Sequence, residues 1–187
     1  MDDWLLKTQS ADILVVDLDG TLVDTNQANL LAYQAATLEV TGKALPVQPI
    51  HCDRLTRNRL REVLDDLPTD LLGAIVQRKE VIYSRFLHVT ELNTKLYQFL
   101  QACQDKILVL ATNARQARAE QLLHQHQLSH LFAECYYHDE AQPNKFKQIF
   151  ARFKGREFIV FENEEAQAKL ALAAGADPQN IILVNAL

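Results

Sequence analysis

Residues 13–25 read ILVVDLDGTLVDT. Ile13 to Val16 are apolar without alternation, which is the pattern of a short strand covered on both faces in a parallel sheet. The run then ends in Asp17 and Asp19. Side chains alternate along an extended chain, so these two carboxylates point the same way while Leu18 turns back into the protein. At ~4 Å and an effective dielectric of ~20, two such charges repel by about 4 kcal/mol, so a cation or a proton is wanted beside them. Gly20 permits a sharp turn after the pair, and Thr21 can hydrogen-bond within it. A solitary D-x-D is usually a solvated strand end, so the weight falls on what the rest of the chain brings to the same edge.

Comparable runs recur at KILVLA (106–111), ECYY (134–137), EFIVF (157–161) and NIILV (180–184). Helical spacing separates them: Leu92, Leu96, Phe99, Leu100 and Cys103 mark one face, and further helices read at 115–125, 145–153 and 165–174, the last stopped by Gly175. Strand alternating with helix predicts an α/β fold with a doubly wound, Rossmann-like parallel sheet. The rhythm breaks between 26 and 90. No strand reads there, while Leu60, Val63, Leu64 and Leu67 repeat at helical spacing and Leu71, Leu72, Ile75, Val76, Ile82 and Phe86 continue it. The expected organisation is a core formed by 1–25 and 91–187, with an inserted helical segment of three or four helices at 26–90.

In α/β sheets of this kind ligands sit at the C-terminal ends of the strands. Thr112 and Asn113 follow the second run, and a hydroxyl with exposed backbone N–H groups before a helix can cradle an anion; Thr112 also reads as a helix N-cap. Lys145 opens the helix after the third run and can carry positive charge to the same edge, with Lys147 as its competitor. FENEE places Glu162, Asn163, Glu164 and Glu165 after the fourth, as oxygen donors for a hard cation or as acids suited to a helix's first turn.

Composition narrows the classes. The chain has 187 residues, 48% of them hydrophobic, enough to bury a core. A net charge of -5 offers no broad basic footprint for nucleic acid. No segment approaches the ~18 apolar residues of a membrane span, and MDDWLLKTQS lacks the layout of a signal peptide, so a cytoplasmic protein with no membrane and no nucleic-acid partner is expected. Three scattered cysteines form neither a disulfide framework nor a zinc pattern. His124, His126 and His130 invite a metal reading, but helical residues two apart do not share a face.

With these four strand ends in this order, the chain resembles the haloacid dehalogenase superfamily of phosphatases and phosphotransferases, within its phosphoglycolate phosphatase and β-phosphoglucomutase-like branch. DLDGT matches the superfamily's first motif completely. The resemblance implies that Asp17 is the nucleophile that takes the phosphoryl group, that Asp19 is the general acid and base, and that Thr112 binds the transferred group. It implies a magnesium ion held by Asp17, Asp19, Glu162 and Asn163, and a helical cap in the insertion. Gly20 and Asn113 would border the substrate. Of the basic run RLTRNRLR, with Arg54, Arg57, Arg59 and Arg61, Arg57 is the first candidate to meet a phosphate or carboxylate on a small phosphorylated substrate.

Two positions depart from the branch. DEAQPNKFK puts Glu140 where the branch seats its lysine, and Lys145 falls a turn later. In the fourth motif Asn163 stands for the usual metal-binding aspartate and Gln167 for a second acid. An amide oxygen ligates magnesium without neutralising its charge, so a retained but altered site is expected. The leading expectation is therefore a magnesium-dependent phosphatase, monomeric or dimeric. The alternatives are a catalytically weak scaffold that binds a ligand or partner, and a phosphomutase; a signalling receiver domain is disfavoured by the D-x-D-G-T spacing and the long insertion.

Overall fold

A computed structural model describes residues 2–45, 55, 57–64 and 67–184, with the backbone alone for residues 2, 3, 57 and 58. The chain divides into two compact units, Met1–Asp24 with Leu92–Leu187, and Thr25–Glu91.

The first unit carries helix α1 (Asp2–Thr8) and strand β1 (Ile13–Val16), and leaves through the two-residue β2 (Val23–Asp24). All four residues of β1 are fully buried. They pair in parallel with two strands at once: Val16 is level with Leu110 of β4 (Ile107–Ala111) and with Phe161 of β6 (Phe158–Glu162). The sheet is completed by β5 (Glu134–Tyr136) and β7 (Ile181–Leu183) in the order β5-β4-β1-β6-β7, every pairing parallel. The doubly wound sheet expected from the apolar runs is thus present; the first run keeps its bounds, and no end of the other four moves by more than one residue. A strand with neighbours on both sides and helices on both faces needs apolar side chains throughout, which is why ILVV shows no alternation.

One face of the sheet packs Ile13, Val15, Val109 and Val160 against Phe146 and Ile149 of α7 (Lys145–Arg152) and Ala171 of α8 (Glu165–Ala173). Trp4 of α1 stands edge-on to Phe99 of α5 (Thr94–Ala102) at 5.5 Å and to Phe161 at 5.7 Å. Helix α6 (Gln116–Gln125) buries Arg118, Ala119, Leu122 and Leu123. Asn93 caps α5 through Leu96 N–H, and its amide donates to the Thr21 carbonyl at 3.1 Å, tying the returning chain to the turn after the aspartates.

The second unit is helical: α2 (Asn26–Thr41), α3 (Arg57–Val63) and α4 (Thr69–Ile82), followed by a 3-10 segment (Tyr83–Val89) and then β3 (Glu91–Leu92). Its core joins Leu30, Tyr33 and Ala36 of α2 to Leu60, Leu72, Ile75 and Ile82. Lys79 is buried there over the rings of Tyr33 and Tyr83 and pairs with Glu80 at 3.1 Å. Among the described residues no helix is long and apolar enough to cross a membrane.

Candidate active site

The parallel register fixes which groups meet. Because Val16 is level with Leu110 and Phe161, the next residues, Asp17, Ala111 and Glu162, emerge side by side at the C-terminal edge of the sheet. Lys145, the first residue of α7, answers all three. Its ammonium donates to Asp17 Oδ1 at 2.9 Å, to the Ala111 carbonyl at 2.8 Å and to Glu162 Oε1 at 2.7 Å. An ammonium has three protons, and each is used. Asn144 caps the helix through Phe146 N–H and so aims Lys145 inward, whereas Lys147 is exposed. Of the two lysines, Lys145 is the one whose ammonium reaches the edge of the sheet.

Charge explains how such a cluster survives out of water. Burial opposes the Lys145 ammonium, but the carboxylates of Asp17 and then Glu162 outweigh it and hold its pKa above the usual lysine value. Glu162 is almost fully buried, and that burial pushes its carboxyl up to about 8; the Asp17 charge adds to the shift and Lys145 pulls against it.

Asp19 has different partners. Arg118 Nη1 donates to its Oδ1 at 2.6 Å, and the Thr112 hydroxyl lies 3.4 Å from its Oδ2. All three residues are buried. Thr112 is not the N-cap of α6, as its position had suggested: Arg115 occupies that place, because 113–115 turn before the helix begins at Gln116. The Thr112 hydroxyl accepts instead from Ala114 N–H at 3.0 Å, and the Asn113 side chain is exposed. The turn is tight at Gly20, whose φ of +86° suits glycine, and the Thr21 hydroxyl sits 3.2 Å from both Asp17 Oδ2 and Asn163 Oδ1.

Magnesium takes one or two protein carboxylates or carbonyls and keeps water and phosphate oxygens for the rest. Among the described residues no group of three or more His, Cys, Asp and Glu side chains is arranged to hold a metal ion. The donors nevertheless fit a hard cation. Thr21 has one proton for two acceptors, so either Asp17 Oδ2 or Asn163 Oδ1 keeps a free lone pair. Glu162 Oε2 is buried with no hydrogen-bond partner among the described residues.

The structure therefore brings together Asp17, Asp19, Gly20, Thr112, Lys145, Glu162 and Asn163, and leaves Asn113 at the surface. Arg57 opens α3, but its side chain lies outside the described residues, as do Arg54 and Cys52. Two contributors were not foreseen. Arg118 shares the buried face of α6 with Leu122, four residues on, and a charge at a core position of an amphipathic helix was the available signal. Asn93, which ties the turn, carried none.

The model of the haloacid dehalogenase-like hydrolase family matches residues 14–157. The chain belongs to the haloacid dehalogenase-like hydrolases. Solved structures of the same fold include a predicted phosphoglycolate phosphatase from Haemophilus somnus 129PT, with 20% identity, a TM-score of 0.74, and 93% of this chain and 85% of that one covered. A haloacid dehalogenase-like family hydrolase from Streptococcus pneumoniae has 18% identity and a TM-score of 0.71, covering 90% and 83%. A HAD-superfamily hydrolase of subfamily IA, variant 1, from Geobacter sulfurreducens PCA has 18% identity and a TM-score of 0.68, covering 93% and 87%. A comparison with curated proteins gives no match. The fold of this chain is thus shared with a predicted phosphoglycolate phosphatase and with a putative β-phosphoglucomutase from Thermotoga maritima, which has 20% identity and a TM-score of 0.65, covering 94% of this chain and 87% of that one. In this hydrolase the buried acids and Lys145 meet at the C-terminal edge of the sheet.

Proposed function

We propose that this hydrolase is a cytoplasmic phosphatase of a small phosphorylated metabolite and works through an aspartyl-phosphate on Asp17. The observation that carries the reading is the three-way contact of Lys145, which holds Asp17 Oδ1, while Oδ2 accepts from the Thr21 hydroxyl. Oδ2 attacks phosphorus, and the bond to the leaving oxygen breaks. Asp19, which takes up a proton from solvent as it loosens from Arg118, gives that proton to the leaving oxygen and then takes one from the water that cleaves the acyl phosphate. Thr112 and Lys145 present an O–H and a positive charge to the phosphoryl oxygens, which is most of what such a transfer asks of a protein. Asp17, Asp19, Asn163 and Glu162 are the residues that would hold magnesium, which when bound offsets the charge on those oxygens.

The test is phosphate release from a panel of sugar, hydroxyacid and aryl phosphates, with magnesium or chelator, using wild type and Asp17→Asn. Turnover by wild type and a loss of at least about 10²-fold in Asp17→Asn are expected. No release from any member of the panel ends the reading. Such a result would favour the scaffold alternative, for which the uncharged Asn163 and Gln167 speak; a mutase would instead move phosphate between positions of one sugar.

A further inference from the structure

The Arg118–Asp19 ion pair sets a full positive charge against the second acid of the site, with Arg118 Nη1 2.6 Å from Asp19 Oδ1. Arg118 is 8% exposed and Asp19 is 3% exposed, so the pair is held out of water. Lys145 does the same for Asp17 and Glu162. Asp17 Oδ1, Asp19 Oδ1 and Glu162 Oε1 are therefore each already held by a buried protein cation. Asn163, at the end of the same sheet edge, adds an oxygen and no charge. A dication entering such a site gains little attraction and must compete with nitrogen donors already in place.

We propose that Arg118 is the second fixed cation of the phosphoryl site: a positioning residue that orients the Asp19 carboxylate and, together with the neutral Asn163, keeps the substrate-free protein's affinity for divalent cations low. The negative charge that draws in magnesium is then supplied by the phosphate of the substrate rather than by the resting site. This rests on the reading of the site as one for phosphoryl transfer. Its test needs no turnover, so the two can fail separately.

The experiment is calorimetric titration of substrate-free protein with magnesium chloride, comparing wild type with Arg118→Met, Arg118→Lys and Asn163→Asp. Removing a positive charge or adding a negative one beside a dication is expected to tighten binding at least about tenfold in Arg118→Met and in Asn163→Asp. Arg118→Lys keeps the charge and should stay within about threefold of wild type, which a purely structural role for the guanidinium does not predict. Wild type binding as tightly as the charge variants, or Arg118→Met binding more weakly, overturns the proposal. Should Arg118→Met not fold, Arg118→Gln keeps a donor for Asp19 and takes its place; Asn163→Asp against wild type decides the charge argument independently, and equal affinities there overturn it.

Discussion

Lys145 Nζ donates to Asp17 Oδ1 at 2.9 Å across 128 residues of chain, and the same nitrogen holds Glu162 Oε1 at 2.7 Å. Removing it leaves two buried carboxylates side by side and the Ala111 carbonyl without this donor. Lys145→Met is therefore expected to cost about 3–5 kcal/mol, because losing one partner of a buried pair strands the others. Lys145→Met with Glu162→Gln should recover part of that loss. Urea unfolding followed by fluorescence suits the comparison, since Trp4 is the chain's one tryptophan and packs on Phe99 and Phe161. A Lys145→Met midpoint equal to wild type would show that the cluster is not held by its lysine.

Much of this arrangement was legible because it depends on rules that act locally. ILVV had to lie between strands, since no half-exposed strand is apolar throughout, and Asp17 and Asp19 had to leave it on one side. Lys145 at a helix start could be placed near the same edge, yet its burial could not be separated from that of Lys147 without the cap at Asn144. What stayed hidden depends on how distant elements meet. Arg118 stands among the core positions of α6, but its partner is fixed only when α6 is docked and its guanidinium is brought to Asp19, 99 residues away. Glu162 reads as a free oxygen donor until the register of β6 against β1 places it within reach of Lys145. Thr112 looked like a cap because a linker of three residues cannot be told from a helix start by residue type alone.

At the edge of the sheet, Tyr136 offers a test with pH. Its hydroxyl donates to Glu134 Oε2 at 2.8 Å, and burial, then Glu134, push its pKa up to about 12. The folded chain thus keeps a proton that the unfolded chain gives up near the ordinary tyrosine value of about 10. Between about pH 10 and 12 the folded state binds more protons, so stability falls as pH rises through that window. Tyr136→Phe should make the fall shallower. Tyr137, pushed up to about 12 chiefly by its own burial, will leave a remainder. Urea midpoints measured across the window check this, and identical slopes for the two proteins would refute the assignment to Tyr136.

Gly20 and Asn163 supply the last prediction, because they are constrained by each other. Gly20 sits at φ +86°, and a Cβ added there would run into the Asn163 side-chain amide, whose oxygen faces Thr21. Gly20→Ala should cost about 1–3 kcal/mol, part from the left-handed backbone and part from the displaced amide. In an Asn163→Ala background the second part disappears and only the backbone part remains. The two substitutions are then non-additive by more than about 0.5 kcal/mol in a double-mutant cycle of urea midpoints. Additive costs would mean that the amide moves aside freely. Coupled costs would mean that Asn163 packs as part of the DLDGT turn, so that its Oδ1 is held at the site by the fold itself.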